Sequence, residues 1–302
     1  MSEISIIVVS YNAREHLERC LDAIAGSEHE VIVVDNASSD GSPQLVRERF
    51  PAVRLVELPE NRGFGAGNNE GMRVASGRWF LLLNSDAWPV GEAVGELAGF
   101  GDRHPEVGIA GPRLLNPDGS LQRSVRGFPT VWRLATEYFF LRKLAPGTAA
   151  LNAFYGAGFD HRTVRKAEYV MGAVLLVRRE AIAQVGGFDE RFFMFSEETD
   201  LCYRMRRAGW TVEFYPEAEF VHVGGASTRA EWGRMYREQL RGHLLFLAKH
   251  QSLYRAERAR RLLVRALRLR ALLFRGERAA TYRQAAAWLA SENAKALIES
   301  SE

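Results

Sequence analysis

Residues 4–10, ISIIVVS, form an unbroken β-branched run, the pattern of a strand buried on both faces. Leu17, Leu21 and Ile24 then recur at helical spacing within 14–26. Further strands are predicted at 31–35, 53–58, 79–83 and 107–111, with helices at 66–76 and 92–103. This alternation predicts an α/β fold, an open and mostly parallel sheet with helices on both faces. The stretch 113–168 breaks the rhythm. It is loop-rich, with aromatic clusters at Trp132, Tyr138, Phe139, Phe140 and at Phe154, Tyr155, Phe159. Such a segment either shapes a second substrate's site or forms a satellite hydrophobic cluster. Regular structure returns at 169–178, followed by a tight turn at 186–190. The apolar residues Phe192 to Phe195 then lead into a helix carrying Leu201, Met205 and Ala208, which Gly209 ends. Short strands are predicted at 211–215 and 219–223, and everything from 231 onward reads as helix. The expected division is a catalytic domain over 1–228 and a helical extension over 229–302.

Charge sharpens that division. The 302 residues are 47% hydrophobic and 25% charged, ordinary for a globular enzyme and unlike a disordered or fibrous chain. The net charge of +3 conceals an imbalance. Residues 1–228 hold 24 Lys+Arg against 30 Asp+Glu, whereas 229–302 hold 16 against 7. An acidic body is followed by a basic tail. The two cysteines, Cys20 and Cys202, exclude a disulfide framework or a cysteine-based zinc site and read as small core residues. With no signal peptide and no run near the roughly 18 apolar residues of a membrane span, a cytoplasmic location is expected, with peripheral contact at the inner face of the membrane.

In open α/β sheets, ligands bind outside the carboxyl ends of the strands. Here those ends are polar. The first runs into Ser10-Tyr11-Asn12 and the second into Asp35 and Asn36. Asn61-Arg62-Gly63 follows the third, and Asn84-Ser85-Asp86 the fourth. One such end is ordinary turn chemistry; four together point to one polar crevice. Asp86 reads as a turn aspartate or as a ligand for Mg²⁺ or Mn²⁺. His222, after a strand, reads as a structural histidine or as an imidazole ligand that suits Mn²⁺. Glu197, Glu198 and Asp200 are either first-turn acids favoured by the helix dipole or a cluster holding a general base. The apolar segment before them would raise a carboxylate's pKa toward a base's useful range. Glycines 63–67 follow the wrong strand for a nicotinamide-binding turn, which excludes that class.

In order and spacing, IIVVSYN (6–12), VIVVDNASSDGS (31–42), ENRGFGAGNNEG (60–71), LLLNSDA (81–87), GGFDERFFMFSEETDLCYR (186–204) and FVHVGGAS (220–227) resemble the inverting family 2 glycosyltransferases, most of all the rhamnosyltransferase-like branch of bacterial surface-polysaccharide synthesis. The resemblance implies a GT-A fold, a Rossmann-like mixed sheet flanked by helices. It implies that Ser10, Tyr11 and Asn12 line the base pocket. Asp35 would accept the pyrimidine ring N–H, selecting a thymidine or uridine diphosphate sugar. Arg62 and Gly63 would lie near the diphosphate. Residues 84–86 stand where the family has Asp-x-Asp, so Asn84 would touch sugar or ribose. Asp86 and His222 would hold Mg²⁺ or Mn²⁺. The catalytic base falls on Glu198 by alignment, with Glu197 the other candidate, and Asp200 is assigned to the acceptor. The acceptor itself would be a glycan or lipid-linked glycan. A sugar nucleotidyltransferase would need a glycine-rich basic loop after the first strand, which is missing. A glycan-binding scaffold would not need Asp86, Glu198 and His222.

On a helix, Arg258, Arg261, Arg265, Arg268 and Arg275 of the stretch 255–275 fall on one narrow face, while Leu262, Leu263, Leu267, Leu269, Leu272, Leu273 and Phe274 fill much of the rest. This fits a helix lying on an anionic membrane. It equally fits a solvated stripe on a bundle packed against the acidic body or a second copy in a homo-oligomer. Nucleic acid is not an expected partner, since no binding module is present.

Overall fold

The structure, a computed structural model, describes residues 3–156, 158–225 and 231–299. The boundary expected at 228/229, and Ala226 and Ser227 of the last motif, lie outside the described residues. The first half contains β1 (Ile4–Ser10), α1 (Arg14–Ile24), β2 (Glu30–Asp35), α2 (Ser42–Arg49), β3 (Arg54–Glu57), α3 (Gly63–Val74), β4 (Trp79–Asn84), β5 (Ala87–Pro89), α4 (Ala93–Arg103) and β6 (Val107–Leu115). The middle adds β7 (Leu121–Gln122), β8 (Val125–Arg126), α5 (Val131–Tyr138), α6 (Ala149–Asn152), β9 (Arg165–Lys166), β10 (Tyr169–Val170) and β11 (Val174–Arg178). After α7 (Arg179–Val185), α8 (Glu197–Arg207) and β12 (Thr211–His222), the chain ends in α9 (Trp232–His250), α10 (Leu253–Leu273), α11 (Gly276–Ser291) and α12 (Ala294–Glu299).

Two compact units emerge. The first holds 3–125, 160–193 and 197–225; the second holds 126–156, 158–159, 194–196 and 231–299. The irregular stretch 126–159, expected within the first domain, therefore groups with the C-terminal helices.

The main path of the first unit's sheet runs β3-β2-β1-β4-β11-β6-β12-β5. β1 pairs in parallel with β2 and β4, so the chain winds outward to β3 and then returns to the other side of β1. That reversal is a topological switch point, where a ligand crevice opens. β11 runs antiparallel to β4 and β6, which makes the sheet mixed rather than mostly parallel. The two short strands expected at 211–223 are one strand, β12, with its register shifted between Tyr215 and Glu219. The irregularity accommodates Pro216, which has no N–H for the ladder. Ile6, Val8, Val33, Leu81, Leu83 and Leu176 are fully buried, as the continuous apolar runs require. α3 lies close on β1 because Gly67 and Gly71 face it. A Cβ at Gly67 would stand 2.7 Å from Val9, and one at Gly71 would overlap Ile7. Cys20 and Cys202 are buried, and burial pushes both thiols up.

In the second unit, Leu134 and Tyr138 of α5 pack with Leu240, Leu244, Leu263, Leu267 and Leu289. Arg270 is buried there, and its guanidinium donates to the carbonyls of Tyr138 and Glu137, each at 2.8 Å, at the end of α5. Arg258, Arg261, Arg265 and Arg268 are exposed on α10, while Leu263 and Leu267 face the core. The helix stops at Leu273, so Arg275 is not part of this face.

Candidate active site

Register aligns the strand ends. In the parallel ladders Ser10 is level with Asp35, and Val9 with Asn84. Beyond them, Asn12 adopts a positive φ of 45° and ties two loops together. Its backbone N–H donates to Ser38 Oγ at 3.0 Å, and its Oδ1 accepts the Ser39 N–H at 2.8 Å. Tyr11 is half-buried between these anchored positions. Asp35 is buried, and its Oδ2 accepts the Ser38 N–H at 2.8 Å. Asp35 Oδ1 and Ser10 Oγ are buried with no hydrogen-bond partner among the described residues. A buried unsatisfied acceptor costs about 1–3 kcal/mol. A ligand N–H reaching Asp35 Oδ1 would remove that cost.

Next to this pocket, Asn36, read in sequence only as part of a polar strand end, links two loops. Its Oδ1 accepts the Arg62 N–H at 3.3 Å and its Nδ2 donates to the Gly63 carbonyl at 3.0 Å. The Arg62 guanidinium pairs with Glu190 at 2.7 Å and Glu70 at 3.4 Å. Gly63 has a φ of +86°, and a Cβ there would overlap the Phe193 carbonyl. That same carbonyl accepts the Phe64 N–H at 3.1 Å. Gly63 thus seats the apolar segment that precedes the acids, a role that a strand-end motif does not announce.

On the other side of β1, β4 ends at Asn84 and the chain turns through Asp86 into β5, where Ala87 lies opposite His222 of β12. The Val223 N–H donates to the Asp86 carbonyl at 3.0 Å. This pairing brings Asp86 Oδ1 to 3.3 Å from His222 Nε2, both side chains largely buried. The Gly224 N–H donates to Asp86 Oδ2 at 3.1 Å, and Asn84 Nδ2 lies 3.3 Å from His222 Nε2. His222 Nδ1 lies 2.6 Å from Gln122 Oε1. Sequence reasoning missed Gln122, which sits in an aperiodic stretch. Among the described residues no group of three or more His, Cys, Asp or Glu converges on a metal position. One carboxylate and one imidazole nitrogen nevertheless suit Mn²⁺ or Mg²⁺ whose remaining positions go to water and phosphate oxygens. The donors present fit such an ion.

The acids open α8. Phe195 and Ser196, just before them, have φ of 67° and 71°, left-handed values that non-glycine residues adopt at a cost of about 1–3 kcal/mol each. Glu197 is 4% exposed, and its Oε2 has no partner among the described residues. Burial, reinforced by the Glu198 charge, pushes its carboxyl well above the ordinary carboxylate range. Glu198 is half-buried and passes over Gly172, where a Cβ would lie 3.3 Å from its Cβ and Cγ. Asp200, expected at the acceptor, has a structural partner in the fold. It is 0% exposed and pairs with Arg204 at 2.7 Å. That arginine also donates to the carbonyls of Val185 at 2.8 Å and Gly187 at 2.7 Å, so Asp200 anchors the turn before the apolar segment.

Comparisons with known proteins place the chain in a family. Residues 5–167 match Glycosyl transferase family 2, and residues 157–225 match the N-terminal domain of galactosyltransferase. The N-acetylglucosaminyl-diphospho-decaprenol L-rhamnosyltransferase of Mycobacterium tuberculosis is 32% identical over 267 residues, covering 83% of this chain and 86% of that protein. A low-salt glycan biosynthesis hexosyltransferase of Haloferax volcanii is 26% identical over 237 residues, covering 74% and 67%. Among solved structures, the mannosyltransferase PcManGT of Pyrobaculum calidifontis, in complex with GDP-Man and Mn²⁺, superposes with a TM-score of 0.55 at 18% identity, covering 98% of this chain and 83% of that one. TarS of S. aureus in complex with UDP gives a TM-score of 0.53 at 17% identity, with coverage of 98% and 83%. These likenesses establish the GT-A fold. The chain is a glycosyltransferase and belongs to glycosyltransferase family 2.

Proposed function

We propose that this enzyme transfers a sugar, with inversion, from a thymidine or uridine diphosphate donor to a hydroxyl of a lipid-linked glycan. The meeting of Asp86 and His222 beside the switch point carries this reading. Rhamnose is the favoured sugar because the mycobacterial relative is a rhamnosyltransferase. The unpartnered Asp35 Oδ1 supports a pyrimidine imide N–H as the recognised group.

In the reaction, Glu198 accepts the proton of the acceptor hydroxyl as its oxygen bonds to the anomeric carbon. The bond from that carbon to the diphosphate oxygen breaks on the opposite face, and the nucleoside diphosphate leaves with the electron pair. A Mn²⁺ or Mg²⁺ ion held by Asp86 and His222 would neutralise the charge that grows on the diphosphate. Burial and the neighbouring Glu198 charge raise the Glu197 carboxyl, which favours its neutral form beside Glu198.

We assign the exposed arginines of α10, with exposed Leu269, Leu272 and Leu273, to an anionic membrane surface carrying the acceptor at its cytoplasmic face. None of the described helices is long and apolar enough to cross a membrane. Thermal shift with a panel of nucleotide sugars, with Mn²⁺ or with chelator, tests the donor. A metal-dependent shift with a thymidine or uridine diphosphate sugar is expected. A shift confined to purine donors would overturn the reading. Flotation with phosphatidylglycerol vesicles tests the surface; no binding at low salt would leave the stripe to a second copy.

A further inference from the structure

We propose that Gln122 is a positioning residue that sets the tautomer of His222, and that the turn over 116–120 in turn sets Gln122.

The turn joins β6 to β7, with Leu114 opposite Gln122. Gly119, at a φ of +80°, lets it close. The Asn116 N–H donates to the Ser120 carbonyl at 2.8 Å, and the Gly119 N–H to the Asn116 carbonyl at 2.9 Å. Inside the turn, Asp118 Oδ1 accepts the Ser120 hydroxyl at 2.6 Å and the Ser120 N–H at 2.9 Å. These bonds hold the Asp118 carboxyl below its ordinary range, so it acts as an acceptor. Ser120 has one hydroxyl proton, committed to Asp118. Its oxygen therefore accepts from Asn116 Nδ2 at 2.9 Å. That orients the Asn116 amide with Oδ1 outward, where it accepts from Gln122 Nε2 at 3.0 Å. Gln122 Nε2 donates also to the His222 carbonyl at 3.2 Å. Both groups on this side of the Gln122 amide are acceptors, so its nitrogen must face them. Its oxygen must then face His222 Nδ1, at 2.6 Å.

An amide oxygen cannot donate, so His222 Nδ1 carries the proton, and in the neutral imidazole Nε2 then carries the lone pair. That lone pair faces Asn84 Nδ2 and stands beside Asp86, where a ligand nitrogen is needed. The other tautomer would put a proton on Nε2, toward Asp86 Oδ1 at 3.3 Å, and block coordination there. The consequence for metal binding rests on the metal reading above; the tautomer does not. Partners of this kind are worth about 10–100-fold in metal affinity.

The test is long-range ¹H–¹⁵N correlation NMR on the full chain, metal-free and labelled at histidine, with the His222 signals assigned by their loss in His222→Gln. The expected pattern is Nδ1–H for the wild type and for Gln122→Glu, whose carboxylate still accepts from Nδ1. Gln122→Leu should release the Nδ1–H form and weaken Mn²⁺ binding, measured by calorimetry, about 10–100-fold. A wild-type His222 protonated at Nε2 would overturn the inference, whatever the variants do. So would a folded Gln122→Leu with unchanged tautomer and affinity. Wild-type protein with the Nδ1–H pattern but no Mn²⁺ binding would uphold the inference and sink the metal reading instead.

Discussion

Glu197 and Glu198 are consecutive, yet Glu197 is buried with an unpartnered Oε2 while Glu198 lies half-buried over Gly172. A single residue step separates a carboxyl that burial raises well above its ordinary range from one that is only half-buried. The proposed roles of the two acids rest on this difference, and they have kinetic and thermodynamic signatures.

Glu198→Gln should lower kcat by about 10²–10⁴-fold, the range for loss of a general base. Glu197→Gln, isosteric with the protonated acid, should keep most of the turnover. Initial rates of nucleoside diphosphate release decide the matter, and the reverse order would move the base to Glu197. Stability gives a second readout. Below the ordinary value of 4.5, both folded and unfolded states carry the Glu197 proton. Above it the unfolded chain loses the proton and the folded chain keeps it. Stability therefore falls as pH rises, until the raised folded carboxyl itself ionises. Glu197→Gln should flatten that part of a Tm-against-pH curve.

Asp86→Asn keeps the shape of the side chain and most of its burial but removes the charge beside His222. A divalent ion supplies several kcal/mol of charge stabilisation. The variant should lose about 10²–10³-fold in kcat/KM at fixed Mn²⁺, with calorimetric Mn²⁺ binding weakened in parallel. Retained Mn²⁺ affinity would show that the carboxylate is not a ligand.

At Asp35, the buried free oxygen predicts base selectivity. A hydrogen bond to a charged group contributes about 1.5–3 kcal/mol. Asp35→Ala should weaken binding of uridine or thymidine diphosphate by about 10–100-fold. It should reduce discrimination against purine diphosphates as well. Equilibrium titration of both nucleotide classes checks this; an equal loss for both would mean that Asp35 only holds its loop.

His243 of α9 is buried against Tyr138 and Phe154, and burial lowers its pKa from 6.5 to about 4. Above 6.5 both folded and unfolded states are neutral at this site. Between 6.5 and about 4 the unfolded chain takes up the proton and the folded chain does not, so stability is lost as pH falls. His243→Phe should remove this acid-side loss, visible as a flatter Tm between those limits.

The strand ends were legible because their cause is local. A β-branched run such as 4–10 has one way to bury both faces, and parallel pairing leaves its carboxyl end, with Ser10 and Asp35 in register, at one edge. Glu197, Glu198 and Asp200 looked alike in sequence because all are first-turn acids. Burial separated them, and burial depends on Gly172, Arg204 and the apolar turn, none of which a helical period reveals. The basic stripe of α10 was legible as a face, but the period could not say that Leu263 and Leu267 would be covered while Leu272 stayed 83% exposed.

By itself, then, the sequence determined the α/β order, the polar strand ends and the residue types able to hold a nucleotide, an ion and a proton. Each follows from side-chain chemistry and from periodicity over a few residues. The tertiary structure decided which of these groups meet. Asp86 reaches His222 only because β5 pairs with β12, and Gln122 reaches His222 only because a five-residue turn off β6 brings it there. The stretch 126–159 joined the C-terminal helices because Leu134 and Tyr138 bury their apolar surface against Leu263 and Leu267. Hydrophobic burial is non-directional, so a pattern states that a face is covered; register and shape select what covers it.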